Sequence, residues 1–352
     1  MQGISRPRIG WIDVLRCIGI LEIYIGHFGG AAGALYPFVF SHHVQLFFLC
    51  AGFVENLNTE TSILRNGVKK FFSLLLPFYC FTLFSMLLTI LNDGSSWNEI
   101  LPMLRGILAG GVRNHFFAWP TWFISCQFVL SILFSILKKI KNRGIMVILG
   151  ILLCWAAGKL LPNYPSLLYN VDSAFLYLVF YIIGYAVFPF ITKLLDGYAK
   201  HAKVLWLTGA VAFLYAAFLY EGTDLLSLLW SNSLYQFALT IIRPLVILWF
   251  MILLSFALRN VKPFALLGRR TLYLCGNEYN VKLYIPVFLG VFGLRMQSTT
   301  PLGVLFVSAI DLGIVYFLLA PWQEKCIALF AQKMNQWKVF LLLKGVGTHP
   351  VP

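Results

Sequence analysis

An otherwise apolar stretch from Trp11 to Phe53 contains Asp13, Arg16, Glu22, His27, His42 and His43. These are side chains that do chemistry. A neutral imidazole takes a proton from a hydroxyl, and a guanidinium holds a phosphate or polarises a carbonyl. A charged side chain at the centre of a membrane helix costs roughly 2.5–3.5 kcal/mol on insertion scales, so such residues are expected to face a polar cavity, a partner or a substrate. At about 100° per residue, the eleven steps from Arg16 to His27 make three helical turns plus roughly 20°. The two side chains therefore share one face, about 16 Å apart along the axis. Asp13, one turn earlier, is placed to pair with Arg16. Tyr24 falls on the same stripe, and Glu22 points elsewhere.

Other candidates follow along the chain. His42 and His43 open a second apolar segment, where they serve either as interfacial residues or as a supplement to His27. Lys69 and Lys70 stand at the start of a third, with Pro77 after them; they read as anchors at the membrane surface or as a phosphate site. Trp122 and Asp172 open later segments and have ordinary interfacial readings. Arg243 precedes Pro244 inside an apolar run and is expected to line a cavity. Asn277, Glu278 and Lys282 interrupt another run, with Glu278 and Lys282 spaced to pair on one helical face. A zinc site of His27, His42 and His43 lacks a completing cysteine or carboxylate, and no metal is expected.

The elements that must position these residues are membrane helices. Of the 352 residues, 60% are hydrophobic and only 11% charged, too little polar surface for a soluble protein of this size. The apolar runs are continuous rather than alternating, which favours helices over a barrel. The expected fold is all-α and polytopic, with about ten transmembrane helices: roughly 10–33, 38–57, 71–91, 121–137, 144–161, 173–191, 203–220, 235–257, 264–293 and 300–322. Ile100 to Leu108 reads as a short interfacial helix in the longest loop. Residues 1–324 form the membrane domain, and 325–352 an amphipathic cytosolic tail. The seven cysteines have no metal-type spacing and read as reduced packing residues.

The net charge of +14 is mainly a topology signal. Arg6, Arg8, Arg65, Lys69, Lys70, Lys138, Lys139, Lys141, Arg143, Lys193, Lys200, Lys203, Arg259, Lys262, Arg269, Arg270, Lys325, Lys333, Lys338 and Lys344 fall on one side of the expected spans, the termini included. Arg105, Arg113, Lys159 and Arg295 fall on the other. That asymmetry puts both termini in the cytoplasm of a multi-pass plasma-membrane protein, and no nucleic-acid partner is expected.

The R-x10-H of Arg16 and His27, preceded by Ile12-Asp13-Val14-Leu15, resembles the opening of the acyltransferase-3 family of integral membrane acyltransferases. His43-Val44-Gln45-Leu46-Phe47-Phe48 resembles that family's F-H-M-P-L-F-F stretch, with Ala51-Gly52 at its small-residue end. Lys69-Lys70-Phe71-Phe72-Ser73, running to Pro77, resembles the basic start of the third helix, with Ser73 where a second basic residue is usual. Trp122-Phe123 is similar to the W-F/Y-L element. Gly268-Arg269-Arg270-Thr271-Leu272 is similar to a late G-k-x-S/T-L turn, after which Asn277-Glu278 replace a frequent histidine.

The resemblance implies transfer of an acyl group, acetyl being the favoured one, from cytosolic acyl-CoA to a hydroxyl of a cell-surface or lipid-linked carbohydrate. Under it, His27 is the general base with His43 assisting. Arg16, supported by Asp13, holds a donor phosphate or polarises the thioester. Lys69, Lys70 and Arg243 contact the donor, and membrane lipid surrounds the whole. The alternatives are a transporter or flippase for an anionic or sugar-linked lipid, and a non-catalytic sensor that keeps the fold.

Overall fold

In the computed structural model, which describes residues 8–58, 60, 62–161, 165–218, 234–293 and 299–336, the chain is helical and no strand occurs among those residues. The first half runs α1 (Gly10–Gly26), α2 (Leu35–Phe40), α3 (His43–Glu55), α4 (Ile63–Lys70), α5 (Leu76–Asp93), α6 (Trp97–Leu108), α7 (Trp122–Leu137) and α8 (Arg143–Leu160). The second runs α9 (Val171–Asp196), α10 (Tyr198–Phe218), α11 (Leu234–Ala257), α12 (Lys262–Arg269), α13 (Thr271–Val291), α14 (Pro301–Ile314) and α15 (Ala320–Gln336). Arg6, Arg295 and the tail beyond 336 lie outside the described residues.

Among the described residues, seven stretches are long and apolar enough to cross a membrane: Leu35–Glu55, Ile63–Asp93, Trp119–Leu137, Arg143–Leu160, Leu168–Asp196, Leu234–Ala257 and Pro301–Lys333. The expected ten are not reached among the described residues. α1 has 17 residues, short of the roughly 20 that a crossing needs. Its expected extension to residue 33 fails because the chain leaves the helix after Gly26. It then makes a 3₁₀ turn over Gly29–Ala32, with Gly29 and Gly33 in the left-handed region that glycine tolerates. α13 is interrupted by Asn277, Glu278 and Lys282, and α10 opens with Lys200, His201 and Lys203.

Two helices are longer than the apolar pattern suggests. α4 runs into α5 through a π-helical turn at Phe71–Leu75, and α14 into α15 through another at Val315–Leu319. The expected start of a separate tail at residue 325 therefore falls inside α15. The loop helix expected at 100–108 exists as α6. It starts at Trp97, where Ser96 and Glu99 form a reciprocal capping box.

α1 is the axis of the fold. It packs against α2, α3, α11, α12, α13 and α14, and most of its residues are buried. This position explains why its ionisable residues are tolerated: they meet protein partners rather than lipid. Two close backbone approaches set the geometry around it. Gly52 on α3 lies against the backbone of Tyr181 and Tyr185 on α9, and Gly184 on α9 lies against the carbonyl of Leu49, so α3 and α9 cross glycine to glycine. Gly268 at the end of α12 lies directly on the backbone of Asp13. No side chain fits at either crossing.

Substituting Gly52 by Ala is expected to lower the melting temperature of the detergent-purified protein by several degrees, because added volume in a packed core costs about 1–3 kcal/mol. Gly290→Ala, whose new methyl would meet nothing within 4 Å, is expected to leave it unchanged.

Candidate active site

At the Arg16 end of α1 a cavity of about 260 Å³ opens between α1, α3, α7, the α4–α5 junction, α12 and α13. Arg16, Lys70 and Arg269 supply its positive charge, Gln127, Ser73 and Thr271 its neutral polar groups, and Phe47, Phe123 and Cys275 part of its apolar wall. Asp13 sits between two of the cations: its carboxylate is 3.9 Å from the Arg16 guanidinium and 3.5 Å from that of Arg269. The contact of Gly268 with the Asp13 backbone brings Arg269 there. The neighbouring Arg270 turns away to a two-pronged bond with Glu324 (3.1 Å for each prong) and lies over the Tyr316 ring.

Lys70 both lines this cavity and pairs with Glu55 at 3.6 Å. Glu55 is buried, and it also takes Lys138 (3.4 Å) and the Tyr181 hydroxyl (3.2 Å). Three helices and the end of α3 are thus tied to one carboxylate. Lys69 does not share this role. It pairs with Glu60 at 3.6 Å and is not among the lining residues. The Ser62 backbone N–H, with Lys69 and Arg65 adding to it, holds the Glu60 carboxyl below its usual range. Arg243 is half-buried in α11 and is likewise not among the residues lining this cavity.

The histidines gather at the other end of α1. His27 caps that helix, and its Nδ1 lies 3.0 Å from Glu278 Oε2, off the line of a straight hydrogen bond. A carboxylate beside Nδ1 favours the proton there and leaves Nε2 bare, the form a general base needs. Glu278 also holds Lys282 at 2.5 Å, as the four-residue spacing predicts, and Lys282 donates to the Tyr24 carbonyl (2.6 Å). His43 is buried and its Nδ1 donates to the Val39 carbonyl (2.8 Å), so its Nε2 is also bare. The two imidazoles do not bond. The Phe40 ring packs against both, with centroids 5.9 Å from His27 and 4.9 Å from His43.

His42 is not interfacial. It is fully buried, with Nε2 2.9 Å from Glu22 Oε1 and Nδ1 shared between Ser41 and the Phe38 carbonyl. Glu22, off the Arg16–His27 stripe as its spacing requires, thus faces a partner rather than lipid. Asp172, also read as interfacial, is buried and accepts from the backbone N–H groups of Ser166 and Leu167 (2.7 and 2.9 Å).

The cavity and the histidine level are separated by one helical turn. Phe47 is four residues after His43 on α3, and Cys275 three residues before Glu278 on α13, so the cavity floor ends about 5 Å short of the imidazoles. Phe47 and Phe123, 5.4 Å apart, are the rings at that floor. A cationic cavity at one end of a helix and a carboxylate-backed imidazole at the other suit a long anionic donor whose reactive end lies far from its charges.

A family model described as an acyltransferase domain matches residues 9–317. The chain belongs to the acyltransferase-3 family. It is therefore a membrane acyltransferase by family, and the matched residues include the cavity and the histidines alike. Among curated proteins and solved structures, nothing matches the chain.

Sequence reasoning missed Arg269 and the joining of Glu278 to His27. Arg269 lies in the quoted late turn, and its placement beside a glycine at a helix end was a usable signal. Glu278 and His27 are 251 positions apart, and no spacing rule connects them.

Breaking a buried ion pair by removing one partner costs about 3–5 kcal/mol, whereas replacing both partners by apolar groups is close to neutral. Glu278→Ala, which leaves Lys282 without its carboxylate, is therefore expected to lower thermal stability sharply. The double substitution Glu278→Leu with Lys282→Met is expected to recover most of the loss, as read by thermal unfolding in detergent.

Proposed function

We propose that this acyltransferase is an O-acyltransferase that moves an acyl group, acetyl in the first instance, from acyl-CoA to a hydroxyl of a cell-surface or lipid-linked carbohydrate. Both termini lie in the cytoplasm of the plasma membrane in this reading, so the Arg16 cavity opens to the cytosol and the histidine level faces outward. The observation that carries the reading is the pairing of the two ends of α1. Arg16, Lys70 and Arg269 surround one cavity, and His27 with Glu278 stands about three turns away.

The three cations take the donor's phosphates, which need dispersed positive charge more than any one bond. Asp13 keeps Arg16 and Arg269 from repelling each other apart. About 16 Å separates Arg16 from His27 along the helix, so one thioester carbonyl does not meet both. Arg16 is assigned to phosphate rather than to the carbonyl, and an extended arm carries the thioester past the Phe47–Phe123 floor.

At the far end His27 Nε2 takes the acceptor's hydroxyl proton as the oxygen attacks the thioester carbon. The C–S bond then breaks with its electron pair on sulfur, and the thiolate recovers a proton from the imidazolium, leaving ester and free thiol. Glu278 stabilises the imidazolium in between, as the carboxylate does in other oriented-histidine sites. His43 lines the same level across Phe40.

His27→Ala is expected to abolish acyl transfer to surface carbohydrate, followed by mass spectrometry of surface glycans, while membrane insertion is retained. Full activity in that variant would remove His27 from its role. Lys70→Met is expected to raise the donor KM about tenfold, since a hydrogen bond to a charged group is worth roughly 1.5–3 kcal/mol. Lys69→Met is expected to change it little.

A further inference from the structure

Gln127 on α7 is the neutral polar residue of the cavity with a bond still to make. The residue is only 8% exposed, it lines the cavity, and its Oε1 is buried without a hydrogen-bond partner. A buried amide oxygen left unpaired costs about 1–3 kcal/mol, so it is expected to meet a donor when the cavity is filled. Gln127 lies one turn from Phe123 toward the Lys138 end of α7. It therefore sits between the aromatic floor and the mouth where Arg16, Lys70 and Arg269 gather.

The chemistry of the missing partner is narrow. The orphan group is an acceptor, so the ligand must bring an N–H or O–H. Ionised phosphates bring none at neutral pH, and neither does a thioester or its acyl chain. The nucleotide base brings an amino group, but phosphates at the cationic mouth hold the nucleotide outside. A cavity of about 260 Å³ is below the roughly 300–1,000 Å³ of sites that enclose whole drug-sized ligands, and it suits a slender chain rather than a nucleotide. What passes Gln127 is then the connecting arm, and in an acyl-CoA that arm carries two secondary amides and one hydroxyl, of which the amides match the planar donor–acceptor edge of a glutamine side chain.

Resting on the acyl-CoA reading above, we infer that Gln127 is the arm-reading residue of this cavity, exchanging hydrogen bonds with a secondary amide of the donor's pantetheine segment. A primary amide offers both an acceptor and a donor, so it pairs with the N–H and the C=O of that amide in either orientation. The bond sets how far the arm has entered. It places the thioester at one depth relative to the floor, so Gln127 is a positioning residue rather than a catalytic one.

The test uses the full chain in detergent with two probes, CoA and adenosine 3′,5′-bisphosphate, the second lacking the arm. Gln127→Leu keeps the volume and removes the polar atoms. Calorimetric titration is expected to show CoA binding weakened on the order of tenfold, with bisphosphate binding unchanged, which also certifies that the cavity mouth is intact. Equal weakening for both probes, or none for CoA, overturns the assignment to the arm. Failure of the unsubstituted protein to bind either probe overturns the acyl-CoA reading itself. Gln127→Asn, which keeps the amide on a shorter stem, is expected to recover part of the lost CoA affinity; an affinity no better than that of the leucine variant counts against a specific amide–amide bond.

Discussion

A carboxylate held between two guanidinium groups governs the cavity end of this protein. Arg16 and Arg269 come from helices far apart in sequence, and without a carboxylate between them the two cations would repel each other. Asp13 reverses the sign of that interaction. It does so at the point where Gly268 lets the two backbones touch. Charge and close packing are therefore one constraint: a bulkier residue at 268 would move Arg269 away, and a neutral residue at 13 would leave the cations facing each other.

The same device recurs at each level of the bundle. Glu55 gathers Lys70 and Lys138, Glu278 gathers His27 and Lys282, and Glu22 takes His42. The chain has only 13 acidic residues against 27 lysines and arginines, and Asp13, Glu22, Glu55 and Glu278 are buried beside basic groups of the core. A buried pair adds little net stability, because desolvation offsets its attraction. What such pairs do supply is a defined partner for each ionic side chain, which limits the ways the helices can slide past one another.

The sequence made part of this legible and hid part of it for definite reasons. Helical spacing placed Asp13 beside Arg16 and Lys282 beside Glu278, since both are contacts within one helix. It also placed Glu22 off the Arg16 stripe. Lys69 and Lys70 are adjacent and identical in type, so only the packing of Glu55 and Glu60 separates their roles. The links of Glu278 to His27, Arg269 to Asp13 and Gln127 to the cavity depend on which helices are neighbours, and local periodicity carries no such information. The early end of α1 is hidden for a related reason: the apolar run continues past Gly26, where the helix stops.

The π-helical turn at Phe71–Leu75 bears on how this region is to be compared with other chains. A five-residue hydrogen-bonded step accommodates one residue more than a regular turn without breaking the rod. Side chains before and after it are out of phase by about one position, some 100° of rotation. Counting residues from Lys70 to Pro77 at 100° per residue therefore misstates which of them look the same way, and a gapless match to a regular α-helix across this stretch would pair the wrong faces. Ser73, which occupies a basic residue's usual place in the linear pattern, stands inside that turn, so its direction relative to Lys70 is set by the π step rather than by the regular helical spacing.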